Sequence, residues 1–210
     1  MSTTAAAAVA STAEAIREQA SGLFFERGYD ATTLRQLAAA VGIQVGSLYN
    51  HIDSKEHLLL QVLGRVMDDL LEQQQAALAG EGDVVDRLVA VLECHIRFSA
   101  SRAREVFIGN AELRSLPAEA RQAVIAKRGE YEHRIMELIV QAAEQGQAVV
   151  LDTRLHAFSI MARGTHVASW YRPGGSLSME RIVSLYAKAV LRELSVSDAD
   201  SRVDNRRSTR

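Results

Sequence analysis

The 210-residue chain sets 24 Lys and Arg against 26 Asp and Glu, a formal net charge of −2, and is 48% apolar. It can bury a sizeable core, and its charge gives no hint of a nucleic-acid partner and argues mildly against one. The single cysteine, Cys94, excludes an internal disulfide and suits a reducing cytoplasm. The N-terminus has no positive region and no long apolar segment, so no signal peptide is expected. No apolar run approaches membrane-spanning length, so neither is a membrane partner.

Only Pro117 and Pro173 interrupt a chain rich in Ala, Leu, Glu and Arg, which favours an all-α fold of about nine helices. Residues 1–10 are expected to be a disordered Ala/Thr-rich tail. Ser11 and Glu14 fit a capping box for a first helix carrying Ile16, Ala20, Leu23 and Phe24 on one face and closing at Gly28. Thr33 and Gln36 repeat that signal for a second helix, with Leu34, Leu37, Ala38 and Val41 inward and Gly42 as its stop. A third runs from about Val45 to Ile52. Ser54 caps a fourth with Leu58, Leu59, Val62, Val66 and Leu70 along one side, and Gly80 and Gly82 break it. Asp83 caps a fifth with Leu88, Val91, Leu92, His95 and Phe98, and a weaker helix spans about 102–115. Pro117, suited to a first helical position, opens a long helix that ends near Gly146. Asp152 starts the helix of Leu155, Phe158, Ala162, His166 and Trp170, which the Arg-Pro-Gly-Gly run closes. Ser178 caps the last, with Ile182, Leu185, Tyr186, Ala189 and Leu194. The remainder, 196–210, reads as a solvated, disordered tail.

The second and third helices, separated by a tight turn at Gly42, make a helix-turn-helix. Ala38 lies where only a small side chain lets the helices approach, Gly42 accepts a positive φ, and Ile43 and Leu48 plug the gap. Gln44, Gly46, Ser47, Tyr49, Asn50 and His51 are left facing outward. A helix of this kind lies in the DNA major groove, where Gln and Asn bond adenine bidentately and Ser pairs with several bases. Thr33, Tyr49, His51 and Lys55 suit phosphates. The alternative is a solvated polar helix, and the charge favours that alternative: residues 1–60 hold four Lys and Arg against six Asp and Glu. Dimerisation would offset the deficit by doubling the contacts.

Residues 15–63, with F-x-E-R-G-Y-D-A-T-T, L-A-x-x-V-G, G-S-L-Y-N-H-I and S-K-E-H-L-L, resemble the DNA-binding region of TetR-family transcriptional repressors. The resemblance implies a helix-turn-helix DNA-binding domain over 11–56 and a helical ligand-binding and dimerisation domain over 57–195. It implies a homodimer whose last two helices pair with their mates on a palindromic operator, and release by a small hydrophobic ligand. Its DNA contacts fall on Thr33, Arg35, Gln44, Val45, Gly46, Ser47, Tyr49, Asn50, His51 and Lys55. One departure is the lack of any Lys or Arg before Arg17, which removes the basis for minor-groove contacts by an N-terminal arm.

The run Ser169–Gly175, S-W-Y-R-P-G-G, resembles TetR-type regulators of fatty-acid and steroid-ring catabolism that respond to acyl-CoA thioesters. Arg163 and Arg172 are placed to meet a phosphate or carboxylate beside Trp170. Equally, Trp170 is core and Arg172 a cation closing its helix. His95, Asn110 and His166, on apolar helices, are candidate polar groups of a ligand cavity, although each alone fits a satisfied core residue. Small aromatic or drug-like inducers and a ligand-independent DNA binder stay open as alternatives.

No catalytic glycine–serine elbow, phosphate-cradling loop or His-Glu-x-x-His is present, so no enzyme is expected. The spacing of His95, His133, His156 and His166 suggests no metal, and no cofactor is expected. Cys94 reads as an ordinary buried thiol.

Overall fold

The computed structural model describes the backbone of residues 2–208 and the side chains of residues 11–206. The chain is all-α: α1 (Ser2–Arg27), α2 (Leu34–Val41), α3 (Val45–Leu48), α4 (Lys55–Leu78), α5 (Val84–Ser101), α6 (Ala103–Ala111), a 3-10 turn (Leu113–Ser115), α7 (Ala118–Glu144), α8 (Thr153–Trp170), α9 (Met179–Glu193) and α10 (Ala199–Ser208). Two compact units result, one of Met1–Met67 with Arg104–Ala126, the other of Asp68–Ala103 with Lys127–Arg210. The division differs from the expected 11–56 and 57–195. The start of α4, most of α6 and the start of α7 share a core with the helix-turn-helix.

In the first unit α1 packs on α2 and α2 on α3. Ile16, Ala20, Phe24, Leu37, Ala38, Leu48, Leu58 and Leu59 are buried together with Ile108 and Val124. Phe107 of α6 meets Phe25 of α1 edge-on at 5.2 Å between centroids, Arg104 reaches Glu18 at 3.5 Å, and Glu112 Oε1 accepts the Tyr29 N–H at 3.2 Å. In the second unit α5 is central, packing on α8 and α9, while α10 packs on α9. Leu88, Leu92, Ile96, Ile135, Ile139, Ile160, Val167 and Leu191 form its core.

Several expectations are corrected. The Ala/Thr-rich start is wound into α1 from Ser2, in keeping with alanine's high helix propensity. Ser11 therefore lies inside a helix and caps nothing, and Glu14 instead pairs with Arg17 at 2.6 Å and Arg65 at 3.5 Å. Pro117 stands just before α7, its carbonyl accepting the Arg121 N–H at 2.9 Å. The expected C-terminal tail holds α10. Val196, Ala199 and Val203, at helical spacing, are buried, and Arg202 pairs with Asp83 and Asp198, both at 2.8 Å. Residues 1, 209 and 210 of the expected tails lie outside the described residues. Among those described, no helix is long and apolar enough to cross a membrane.

Candidate functional site

The turn between α2 and α3 is built by local hydrogen bonding. Thr33 caps α2 in a full capping box: its hydroxyl oxygen accepts the Gln36 N–H at 3.2 Å, and its own N–H donates to Gln36 Oε1 at 2.8 Å. Gly42 closes the helix at φ 80°, a left-handed conformation that costs glycine little. The Gly42 and Ile43 N–H groups both return to the Ala38 carbonyl at 3.0 Å. The chain then restarts at Gln44, in extended conformation, whose side chain makes no capping bond and is left uncommitted.

The α-helical part of α3 ends at Leu48, shorter than the expected 45–52. The coil continues as turns: Asn50 N–H reaches Ser47 O at 3.2 Å and His51 N–H reaches Leu48 O at 2.9 Å. Leu48 is fully buried and fixes the rotation of the segment. Gln44, Val45, Gly46, Ser47, Tyr49 and Asn50 are all exposed and His51 is half-buried. A Cβ built on Gly46 meets nothing within 4 Å. Thr33 and Arg35 are exposed at the start of α2, although Gln36 already occupies the Thr33 N–H.

Lys55 has an internal job. Its ammonium donates to the carbonyls of Tyr29 at 3.0 Å, Thr32 at 3.1 Å and Asp30 at 3.5 Å, and lies 4.2 Å from the centre of the Tyr29 ring. All three N–H groups are engaged, so the side chain pins the α1–α2 connection. Burial, with Glu56 nearby, pushes the Tyr29 hydroxyl up to about 12. Thr32, also buried, donates its hydroxyl to Gly28 O at 2.9 Å. Sequence reasoning missed the anchoring roles of Lys55 and Glu112, because both act across long stretches of chain.

Of the six ligand candidates, Asn110 belongs to the first unit and the other five to the second. His95 is buried in the second unit. Its Nε2 faces the Met161 carbonyl and Thr165 Oγ1, both at 3.1 Å, and its Nδ1 lies 3.0 Å from Tyr131 Oη. A carbonyl only accepts, so Nε2 carries the proton and Nδ1 accepts from the tyrosine hydroxyl. Burial lowers the His95 pKa to about 4 and raises that of Tyr131 well above its ordinary value. His95 is thus a neutral, satisfied core residue. Gly164 admits it: a Cβ there would lie 2.1 Å from His95 Cδ2.

Asn110 lies exposed on α6, in the first unit. Arg163 pairs through Nη2 with Glu193, which also meets His156 at 3.1 Å. Burial opposes Glu193 ionisation, but the bonds from Arg163 and His156 override it and hold the carboxyl below its ordinary value. Arg163 Nη1 is buried and has no hydrogen-bond partner. His166, Trp170 and Arg172 are exposed at the end of α8, with Arg172 Nη1 donating to the Tyr171 carbonyl at 2.9 Å. Trp170 is therefore no core residue. Cys94 is partly buried, and burial pushes its thiol up to about 11.

An all-helical chain whose helix-turn-helix presents an exposed polar α3 has the build of a DNA-binding transcription regulator. Two family models match: residues 16–62 match the bacterial regulatory proteins of the tetR family, and residues 81–194 match the tetracyclin repressor-like C-terminal domain. The chain belongs to the TetR family. It is 32% identical to the transcriptional repressor KstR2 of Rhodococcus jostii over 82% of this chain and 85% of that protein. Among solved structures, it resembles AibR in complex with isovaleryl coenzyme A and operator DNA, with a TM-score of 0.77 and 29% identity over 87% of this chain and 97% of that one. It also resembles the ketosteroid transcriptional regulator KstR2 of Mycobacterium tuberculosis, with a TM-score of 0.78 and 26% identity over 87% of this chain and 94% of that one. Residues 195–210, which include α10, lie beyond both family matches.

Proposed function

We propose that this protein is a homodimeric repressor that reads a palindromic operator and is released by an acyl-CoA thioester. The observation that carries the DNA-reading half is the unbroken exposed run Gln44–Ser47 with Tyr49 and Asn50, held in place by buried Leu48. Gln44, Ser47 and Asn50 contact base edges, Val45 and Gly46 lie against the backbone, and Tyr49, His51, Thr33 and Arg35 meet phosphates. Lys55 leaves this set, because its donors are occupied, and acts by positioning α2.

Dimerisation through α8 and α9 is supported by apolar side chains left uncovered there: Leu155 is 68% exposed, Phe158 41% and Leu185 52%. A two-fold pair sets two α3 segments on half-sites one DNA turn, or a multiple of it, apart. The thioester half draws on similarity to AibR and KstR2 and on cations in the second unit. Arg163 Nη1 is a buried donor without an acceptor, a rare state that an anionic oxygen would relieve. Arg172 is exposed. His95 and Asn110 have no part in this reading. A 100-fold loss of operator affinity requires about 2.7 kcal/mol of coupling between the sites.

Fluorescence anisotropy with DNA from upstream of the protein's own gene tests both halves. Binding is expected for wild type and lost in Tyr49→Ala/Asn50→Ala, with release by acyl-CoAs that weakens in Arg172→Ala. Undiminished binding by the double variant would remove α3 from the reading. Release by uncharged aromatics and by no thioester would remove the acyl-CoA.

A further inference from the structure

Gln36 and Gln44 carry the same carboxamide and use it differently. Gln36 Oε1 accepts from both the N–H and the hydroxyl of Thr33, at 2.8 Å and 3.0 Å, and so belongs to the cap of α2. Gln44 stands at the N-cap of α3, and its side chain caps nothing. That position favours Ser, Thr, Asp or Asn, whose short side chains reach the N–H groups of the first turn. The chain uses such residues elsewhere: Thr33, Ser54, Asp83, Asp152 and Ser178 each accept the N–H three residues on. At Gln44 that local stabilisation is forgone. The backbone there asks for no particular residue. Its φ of −74° and ψ of 149° are ordinary extended values, and its carbonyl, which any residue supplies, accepts the Ser47 and Leu48 N–H groups at 3.0 Å and 3.2 Å. The side chain is exposed, so the fold gives no reason for a carboxamide.

The rest of the exposed run narrows what this group reads. Between Gln44 and Ile52 there is no Lys, Arg, Asp or Glu. Lys55, the next cation, has its ammonium on three carbonyls. Guanine offers two acceptors in the major groove and suits a guanidinium or an ammonium, while cytosine offers a donor and suits a carboxylate. Adenine offers the N7 acceptor beside the N6 donor. A carboxamide, with one acceptor and one donor side by side, matches that edge with two bonds.

We infer that Gln44 fixes one adenine in each operator half-site, and that changing this side chain rewrites that base pair alone. The inference rests on α3 being the reading segment, and adds which base it selects and by which side chain.

Selection of bound duplexes from a pool with randomised half-sites, using the intact protein, tests it. Wild type is expected to fix an A·T pair at one position per half-site. Gln44→Arg should convert that pair to G·C and leave the other fixed positions as they were. Gln44→Ser should lose the preference there with no fall in Tm, because serine can cap α3. Replacing the pair by G·C in the selected duplex should weaken wild type roughly five- to 150-fold. Placing 7-deazaadenine there keeps Watson–Crick pairing and removes N7. It should cost wild type about fivefold, the loss of one hydrogen bond, and cost Gln44→Ser nothing. A Gln44→Arg pool identical to the wild-type pool would overturn the assignment, as would 7-deazaadenine without effect on wild type. A lowered Tm in Gln44→Ser would return the carboxamide to the fold. Tyr49→Ala/Asn50→Ala separates this inference from the wider reading. Operator binding lost there, with the Gln44→Arg pool unchanged, removes the adenine contact alone; undiminished binding by the double variant removes α3 and the adenine with it.

Discussion

Gly46 separates the needs of the fold from the needs of the partner. It stands inside α3, its φ is not left-handed, and a Cβ built there meets nothing within 4 Å. Nothing in the protein's own packing requires glycine. Alanine should stabilise the chain by about 0.5–1 kcal/mol, because glycine surrenders more backbone freedom on folding. For a chain of this size that is about 1–4 °C in Tm. The same change at Gly42, where φ is 80°, forces a left-handed alanine at a cost of about 1–2 kcal/mol, so its Tm falls. The operator reverses the order of merit. A methyl on the exposed side of α3 holds the backbone off the DNA, and the loss of about 1–3 kcal/mol of contact energy lowers affinity roughly five- to 150-fold. Thermal melts and operator anisotropy on the two variants, at one salt and protein concentration, measure both effects. Gly46→Ala with raised Tm and unchanged operator affinity would refute the idea that the glycine is kept for close approach. Lowered Tm would refute the open space around it.

Lys55→Met removes the ammonium that holds three carbonyls of the α1–α2 connection; it should cost about 1–3 kcal/mol in denaturant titration and leave the salt slope of operator binding unchanged, whereas unchanged stability with a shallower slope would return Lys55 to the phosphates. With Arg35 among the few cations on this surface, the slope for a dimer should be about −2 to −4; a much steeper measured value would mean that unrecognised cations carry the binding. Burial lowers His95 from 6.5 to about 4, so between those values the unfolded chain binds a proton that the folded chain refuses. Stability is therefore full above about pH 6.5 and falls toward pH 4, by about 3 kcal/mol; denaturant midpoints across that range should show the fall in wild type and a much smaller one in His95→Leu, and equal slopes would contradict the assignment. Phe158→Glu with Leu185→Glu should leave the fold intact, since both residues are exposed, and give a monomer by sedimentation that has lost operator affinity; a stable dimer would move the interface elsewhere.

Much of the fold was legible because its signals close within three or four residues. The capping boxes at Thr33 and Asp83 and the caps at Asp152 and Ser178 are satisfied inside one turn. So is the left-handed stop at Gly42. The outward set on α3 followed from the same local geometry, although the helix itself is shorter than expected. What escaped is bonded at long range. Lys55 finds its acceptors on the α1–α2 connection, and Gly164 exists for the ring of His95 on another helix. An apolar helix face shows that a histidine is buried; it does not show whether protein or ligand supplies its partners. For His95, Tyr131 and Met161 do. The C-terminal helix was hidden by its polarity, since its two buried positions, Ala199 and Val203, are outnumbered by charges that serve as ion pairs.

The attachment of Glu112 to the Tyr29 N–H bears on how such a reading head is inherited and grafted. The compact body around α3 is encoded in two stretches, Met1–Met67 and Arg104–Ala126. A chimera spliced once after the first stretch would carry α3 to a new host without Glu112, Phe107 or Arg104. Tyr29 would then meet whatever side chain the host offered, and the α1–α2 connection would lose a bond its sequence cannot replace. A faithful transplant needs three junctions rather than one, so recombination between relatives should conserve the pairing of these stretches more readily than either stretch alone.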